Sequence, residues 1–104
     1  MLAYRWNHED NLEELCPETG MVRLRVHRDD YVAVVQAARA CADEGGLFKV
    51  KAVLTSAKRE WGELVPTTQV YVVMRYLIHV EYIRKSAGNR KQFVNRNPFE
   101  GVVT

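Results

Sequence analysis

The sequence predicts an α+β domain, mostly α, with three helices closed by a C-terminal β-hairpin and preceded by a short strand-containing extension. Three observations carry this expectation. Val70, Met74 and Leu77 fall at i, i+4 and i+7, the spacing of a buried helical stripe. Two basic, β-prone runs, residues 82–86 (YIRKS) and 90–94 (RKQFV), flank Ala87-Gly88-Asn89, whose residues tolerate the positive φ of a hairpin turn. Residues 21–26 alternate, with Val22, Leu24 and Val26 on one face and Arg23 and Arg25 on the other, as a half-buried strand does.

A chain of 104 residues is long enough to bury one modest core without metal or disulfide staples. Apolar content of 47% and charge of 27% place it among ordinary globular chains and away from disordered ones. The one long apolar run, 70–80, is broken by Arg75 and His79, so no stretch reaches the ~20 residues of a membrane span. The first ten residues lack the basic-then-apolar order of a secretory signal, and a cytoplasmic location is expected. Cys16 and Cys41 match no zinc spacing and are expected as reduced thiols. Charge is unevenly divided. Residues 1–46 hold five Arg against nine Asp or Glu, net −4; residues 47–104 hold ten Lys or Arg against four Glu, net +6. A basic half on a nearly balanced chain is the footprint of a nucleic-acid surface, although a solvated basic face has the same composition.

Taken in order, residues 2–6 (LAYRW) read as a short strand, and 8–15 as one or two exposed helical turns. Pro17 and Gly20 then break the chain before the strand at 21–26, whose partner the sequence leaves open between residues 2–6 and the later hairpin. Asp29 is the expected N-cap of a first helix, with Asp30 adding negative charge at its positive end. Tyr31, Val34, Val35, Ala38 and Cys41 or Ala42 form its apolar stripe, and Gly45-Gly46 closes it. Leu47-Phe48 leads into a second helix whose buried face is Val50, Val53, Leu54, Ala57 and Trp61. Residues 62–64 connect to Pro66, which suits the first turn of the third helix, with Thr67 or Thr68 as capping hydroxyl. The outward face of that helix is Thr68, Tyr71, Val72 and Arg75. On the hairpin, Ile83 and Phe93 should point inward and Arg84 and Lys91 outward. The chain divides into an extension at 1–28, a main body at 29–95 and a tail at 96–104.

From Phe48 to Val94 this pattern resembles the winged helix-turn-helix superfamily of small bacterial, archaeal and phage regulators. Residues 48–54 (FKVKAVL) look like the entry to its second helix, 65–77 (VPTTQVYVVMRYL) like its recognition helix, and 82–94 like its wing. The resemblance implies duplex DNA as the partner, read by the helix at 66–80 and a basic wing at 82–95, with a homodimer expected on two half-sites. The acidic N-terminal half is then the candidate dimer surface.

On that reading Thr67, Thr68, Tyr71, Val72 and Arg75 face the major groove, Arg75 as a bidentate reader of guanine and Val72 against a thymine methyl. Arg84, Lys85, Arg90 and Lys91 hold phosphates from the wing, and Lys49, Lys51, Lys58 and Arg59 add contacts from the second helix. The plainer alternatives are capping for the threonines, partial core for Tyr71 and solvated charge for the cations. Two other functions use the same residues: a protein-interaction module working through the apolar Val72–Val73 side, and an RNA-binding winged helix. His8, His27 and His79 are scattered, and there is no glycine-rich phosphate loop or acidic nuclease cluster, so no catalytic, cofactor or metal role is expected. Trp6 and Trp61 are read as core or interface residues.

Overall fold

The computed structural model describes residues 2–94. The element order is β1 (Ala3–Trp6), β2 (Asn11–Leu15), β3 (Val22–His27), α1 (Arg28–Cys41), β4 (Leu47–Lys49), α2 (Val50–Ser56), α3 (Thr67–His79), β5 (Ile83–Ser86) and β6 (Arg90–Phe93). The strands form two three-stranded antiparallel sheets, ordered β1-β2-β3 and β4-β6-β5. The expected tail at 96–104 lies outside the described residues.

The N-terminal sheet begins with a side-chain-directed turn. Asn7 Oδ1 accepts the backbone N–H groups of Glu9 and Asn11, and Asp10 takes φ 61° between them. β2 then runs back along β1, pairing Tyr4 with Glu14 and Trp6 with Leu12. The exposed helical turns expected over 8–15 are therefore a strand. Its acidic residues misled because their neutralising partners are distant in sequence. In a strand Glu13 and Glu14 point to opposite faces. Arg5 and Arg25, directly across from Glu13 on β1 and β3, cover it from both sides at 2.7 Å each. The strand at 22–27 takes β2 as its partner, neither of the two candidates the sequence left open.

α1 starts one residue before the expected cap. His27 is the N-cap, its Nδ1 accepting the N–H of Asp29, so Asp29 and Asp30 both sit in the first turn. There they meet the positive end of the helix dipole. The expected stripe of Tyr31, Val34, Val35 and Ala38 is buried. The helix ends at Cys41, with Ala42 extended, before Gly45-Gly46 is reached. Gly46 serves the sheet instead. It takes φ +80°, a side chain there would meet Phe93 at 3.4 Å, and its carbonyl accepts the Phe93 N–H.

The second helix is also shorter than its apolar spacing predicts. Leu47–Lys49 is a strand on β6, and the helix proper ends at Ser56. Beyond it the chain folds back on itself through a bridge between Lys58 and Leu64, with Gly62 at φ +88° in the turn. Trp61 stands at that turn, 72% exposed, instead of on a buried helical face. α3 starts from Pro66, which is itself the N-cap; neither threonine caps it.

The core joins both sheets and all three helices in one cluster, from Leu12 and Val26 through Tyr31, Val34, Val53, Val70 and Leu77 to Ile83 and Phe93. Burying a leucine-sized side chain contributes about 1.5–3 kcal/mol, so Leu12 and Leu77, both fully buried, weld the N-terminal sheet and α3 into the same unit. Trp6 belongs to this unit as a core residue. It packs edge-on against Tyr31 and donates Nε1–H to the Tyr76 hydroxyl at 3.1 Å. Both cysteines are free thiols. Among the described residues no helix is long and apolar enough to cross a membrane.

Candidate nucleic-acid interface

α3 is packed on more of its circumference than an amphipathic surface helix. Val70, Val72, Val73, Met74, Tyr76 and Leu77 are all buried, because α1, α2, β3 and β5 surround the helix. Val72, expected on the outward face, has no exposed surface. What remains open is the stripe of Thr67, Thr68 and Tyr71, the last 43% exposed, continuing one turn on to Arg75.

Arg75 is committed elsewhere than in a groove. Its Nε and Nη2 donate to the two oxygens of Glu14 at 2.8 and 2.9 Å, a bidentate pair between α3 and the inner face of β2. Tyr4 donates to Glu14 Oε2 at 2.9 Å, and Arg23 Nη1 stands 3.8 Å from Oε1. Glu14 is completely buried. Burial pushes its carboxyl up, but the bonds from Arg75 and Tyr4 and the nearby guanidinium charges outweigh that and hold it below the usual carboxylate range. Burial, then the bond to Glu14, push the Tyr4 phenol up to about 12. The bidentate guanine contact expected of Arg75 therefore competes with a bidentate carboxylate contact already made.

Arg59 is likewise structural. It donates from Nε and Nη2 to the two oxygens of Asp30 at 2.9 and 3.0 Å, and its guanidinium lies 5.6 Å from the Trp61 ring centre. Glu63 completes the assembly by accepting from Trp61 Nε1 at 2.9 Å. Lys51 and Lys58 are exposed and form no ion pair with any described residue.

The second sheet carries the rest. Alternation puts Ile83, Lys85, Lys91, Phe93 and Phe48 toward one face, and Lys49, Arg84, Ser86, Arg90 and Gln92 toward the other. Ile83 and Phe93 are buried and directly paired, as the pattern predicts. Arg84 is exposed as expected, but Lys91 shares the face of Phe93 and is half-buried, since an even offset along a strand keeps two residues on one side. The turn at Ala87–Asn89 puts Gly88 at φ 71° and Asn89 at φ 60°, the conformations their residue types favour. Arg84 is held flat by two bonds to Gln92 Oε1, at 3.0 and 2.7 Å, while Gln92 Nε2 donates to the Gly45 carbonyl.

The registers bring like charges face to face. Lys85 stands directly across from Lys91, and Lys49 directly across from Arg90. None of the four forms an ion pair with a described residue. Directly opposed like charges in a sheet are destabilising. Among the basic residues, Arg5, Arg25, Arg59 and Arg75 are bonded to carboxylates, whereas Lys49, Lys85, Arg90 and Lys91 concentrate uncompensated charge on one small sheet. Sequence reasoning missed Glu14, Arg23 and Gln92, whose roles depend on strand register. Gly62 marks the turn beyond the second helix and not its end, which falls at Ser56 without a local breaker.

Among the described residues no group of three or more His, Cys, Asp or Glu side chains is arranged to hold a metal ion. Comparison with family models, with curated proteins and with solved structures finds no match to this chain.

Proposed function

We propose that the chain is a winged-helix domain that binds duplex DNA, as a small regulator of prokaryotic or phage type. The observation that carries the reading is the pair of like-charged cross-strand couples, Lys85–Lys91 and Lys49–Arg90, on the sheet β4-β6-β5. The two couples lie on opposite faces of this narrow sheet, so a polyanion laid against either face relieves one of them and releases its own counterions, which is the main source of affinity for nucleic acid. The fold part of the reading rests on chain order. From α1 onward the elements run helix, strand, helix, helix, strand, strand, with the last strand central in its sheet. Thr67, Thr68 and Tyr71, exposed on the first turns of α3, are the side chains available to enter a groove. A homodimer would set two such surfaces on two half-sites.

The alternative of a protein-interaction module draws no support from Val72 and Val73, both fully buried. RNA binding uses the same basic face, and the test separates it. Binding of a mixed-sequence DNA duplex is titrated over a range of salt, for the native chain and for Arg90→Ala, with duplex RNA as competitor. The reading expects a steep salt dependence, a slope smaller by about one unit for Arg90→Ala, and weak competition by RNA. Absence of DNA binding at low salt overturns it, and equal competition by RNA overturns the choice of DNA.

A further inference from the structure

We infer that Arg23 and Arg75 form a second phosphate contact at the junction of the N-terminal sheet and α3, which makes that sheet part of the nucleic-acid surface and not only a support. The inference rests on the duplex-binding reading above. Its basis is a charge imbalance at one buried carboxylate. Glu14 has two arginines beside it, and only Arg75 holds it at hydrogen-bond distance; Arg23 stands off at 3.8 Å. The cluster of Glu14, Arg23 and Arg75 therefore carries one net positive charge. Both arginine side chains reach solvent, at 50% and 41% exposure, while Glu14 reaches none. The negative charge is thus buried and the positive charge is what the surface presents.

Position places this charge where a duplex would meet it. Arg75 lies one helical turn from Tyr71 and two from Thr67, on the same exposed stripe of α3. A strand of duplex lying along that stripe toward the N-terminal sheet brings a phosphodiester to the two guanidiniums. Arg75 bonds Glu14 through Nε and Nη2, so that pair does not need Nη1, and Arg23 approaches Glu14 only at 3.8 Å. Arginine suits such a site, because one edge of its planar fork can be fixed by a carboxylate while another meets a phosphate.

The test uses Arg23, because its loose contact with Glu14 makes it dispensable to folding. Duplex DNA of mixed sequence is titrated with the native chain, Arg23→Ala and Arg90→Ala over a range of salt, and the thermal midpoint of each is recorded. The expected result is a loss of about one unit of salt slope for Arg23→Ala, alike on all sequences, with an unchanged thermal midpoint. An unchanged slope for Arg23→Ala beside a reduced slope for Arg90→Ala overturns the second contact and leaves the duplex-binding reading standing. Failure of the native chain to bind overturns both. A fall in affinity that tracks a fall in thermal midpoint assigns Arg23 to the fold alone and overturns the contact.

Discussion

The Arg59 guanidinium and the Asp30 carboxylate meet edge to edge, two bonds of 2.9 and 3.0 Å that tie the loop after α2 to the first turn of α1. The same guanidinium lies against Trp61, so a residue expected to touch phosphate instead fixes a loop. Arg59→Ala should lower the thermal midpoint, and Arg59→Lys should recover only part of the loss, because an ammonium cannot span both oxygens. Full recovery by lysine would show that charge alone matters there. Duplex binding by Arg59→Lys should match the native chain.

Arg75→Ala should behave as a stability variant first. It strands a buried carboxylate, a change that costs about 3–5 kcal/mol when both partners are fully buried. Arg75 is itself 41% exposed, so water can follow the deletion and the expected loss is nearer ~2 kcal/mol. Urea denaturation reads it directly. A loss below about 0.5 kcal/mol would mean that Glu14 finds other partners, Arg23 being the nearest.

Acid should unfold the protein through the N-terminal sheet. Arg25 and Arg5 bring the Glu13 carboxyl down to about 2, and Glu14 is also held below the usual range. Both groups take up protons more readily when unfolded, so their stabilisation is complete above the unfolded carboxylate range near ~4.3. It is lost as pH falls through the folded values. The denaturation midpoint should stay level down to about pH 5, then decline toward about pH 2, and Glu13→Gln should make that decline shallower. An identical acid profile for Glu13→Gln would remove the Arg5–Glu13–Arg25 row from the explanation.

Two backbone positions should respond in opposite senses. Gly46→Ala places a methyl 3.4 Å from Phe93 on a residue at φ +80°, and should cost about 1–2 kcal/mol. Glu81, at φ 62° between α3 and β5, occupies a conformation that glycine adopts without strain. Glu81→Gly should be neutral or stabilising by up to about 1 kcal/mol, the relief of strain being offset by the greater freedom of the unfolded chain. A marked loss for Glu81→Gly would reveal a role for its carboxylate.

What the sequence determined by itself is what depends on neighbours along the chain. The stripe of Val70, Met74 and Leu77, the alternation of Val22, Leu24 and Val26, and the positive-φ turn at Gly88-Asn89 all appear where their spacing puts them. Local periodicity records which side of an element is apolar, and these elements obey it. Tertiary structure alone decided which charges are free. Glu14 and Arg75 are 61 residues apart, and Asp30 and Arg59 are 29 apart. No local pattern distinguishes an arginine that will close on a distant carboxylate from one left facing solvent. The same holds for Val72, whose exposure depends on how many elements surround α3 and not on its place in the helical repeat. Strand register set Lys85 across from Lys91. Pairing across a sheet is fixed by turns and by the packing of one face, so the accumulation of unpaired charge that marks the candidate interface exists only once the chain is folded.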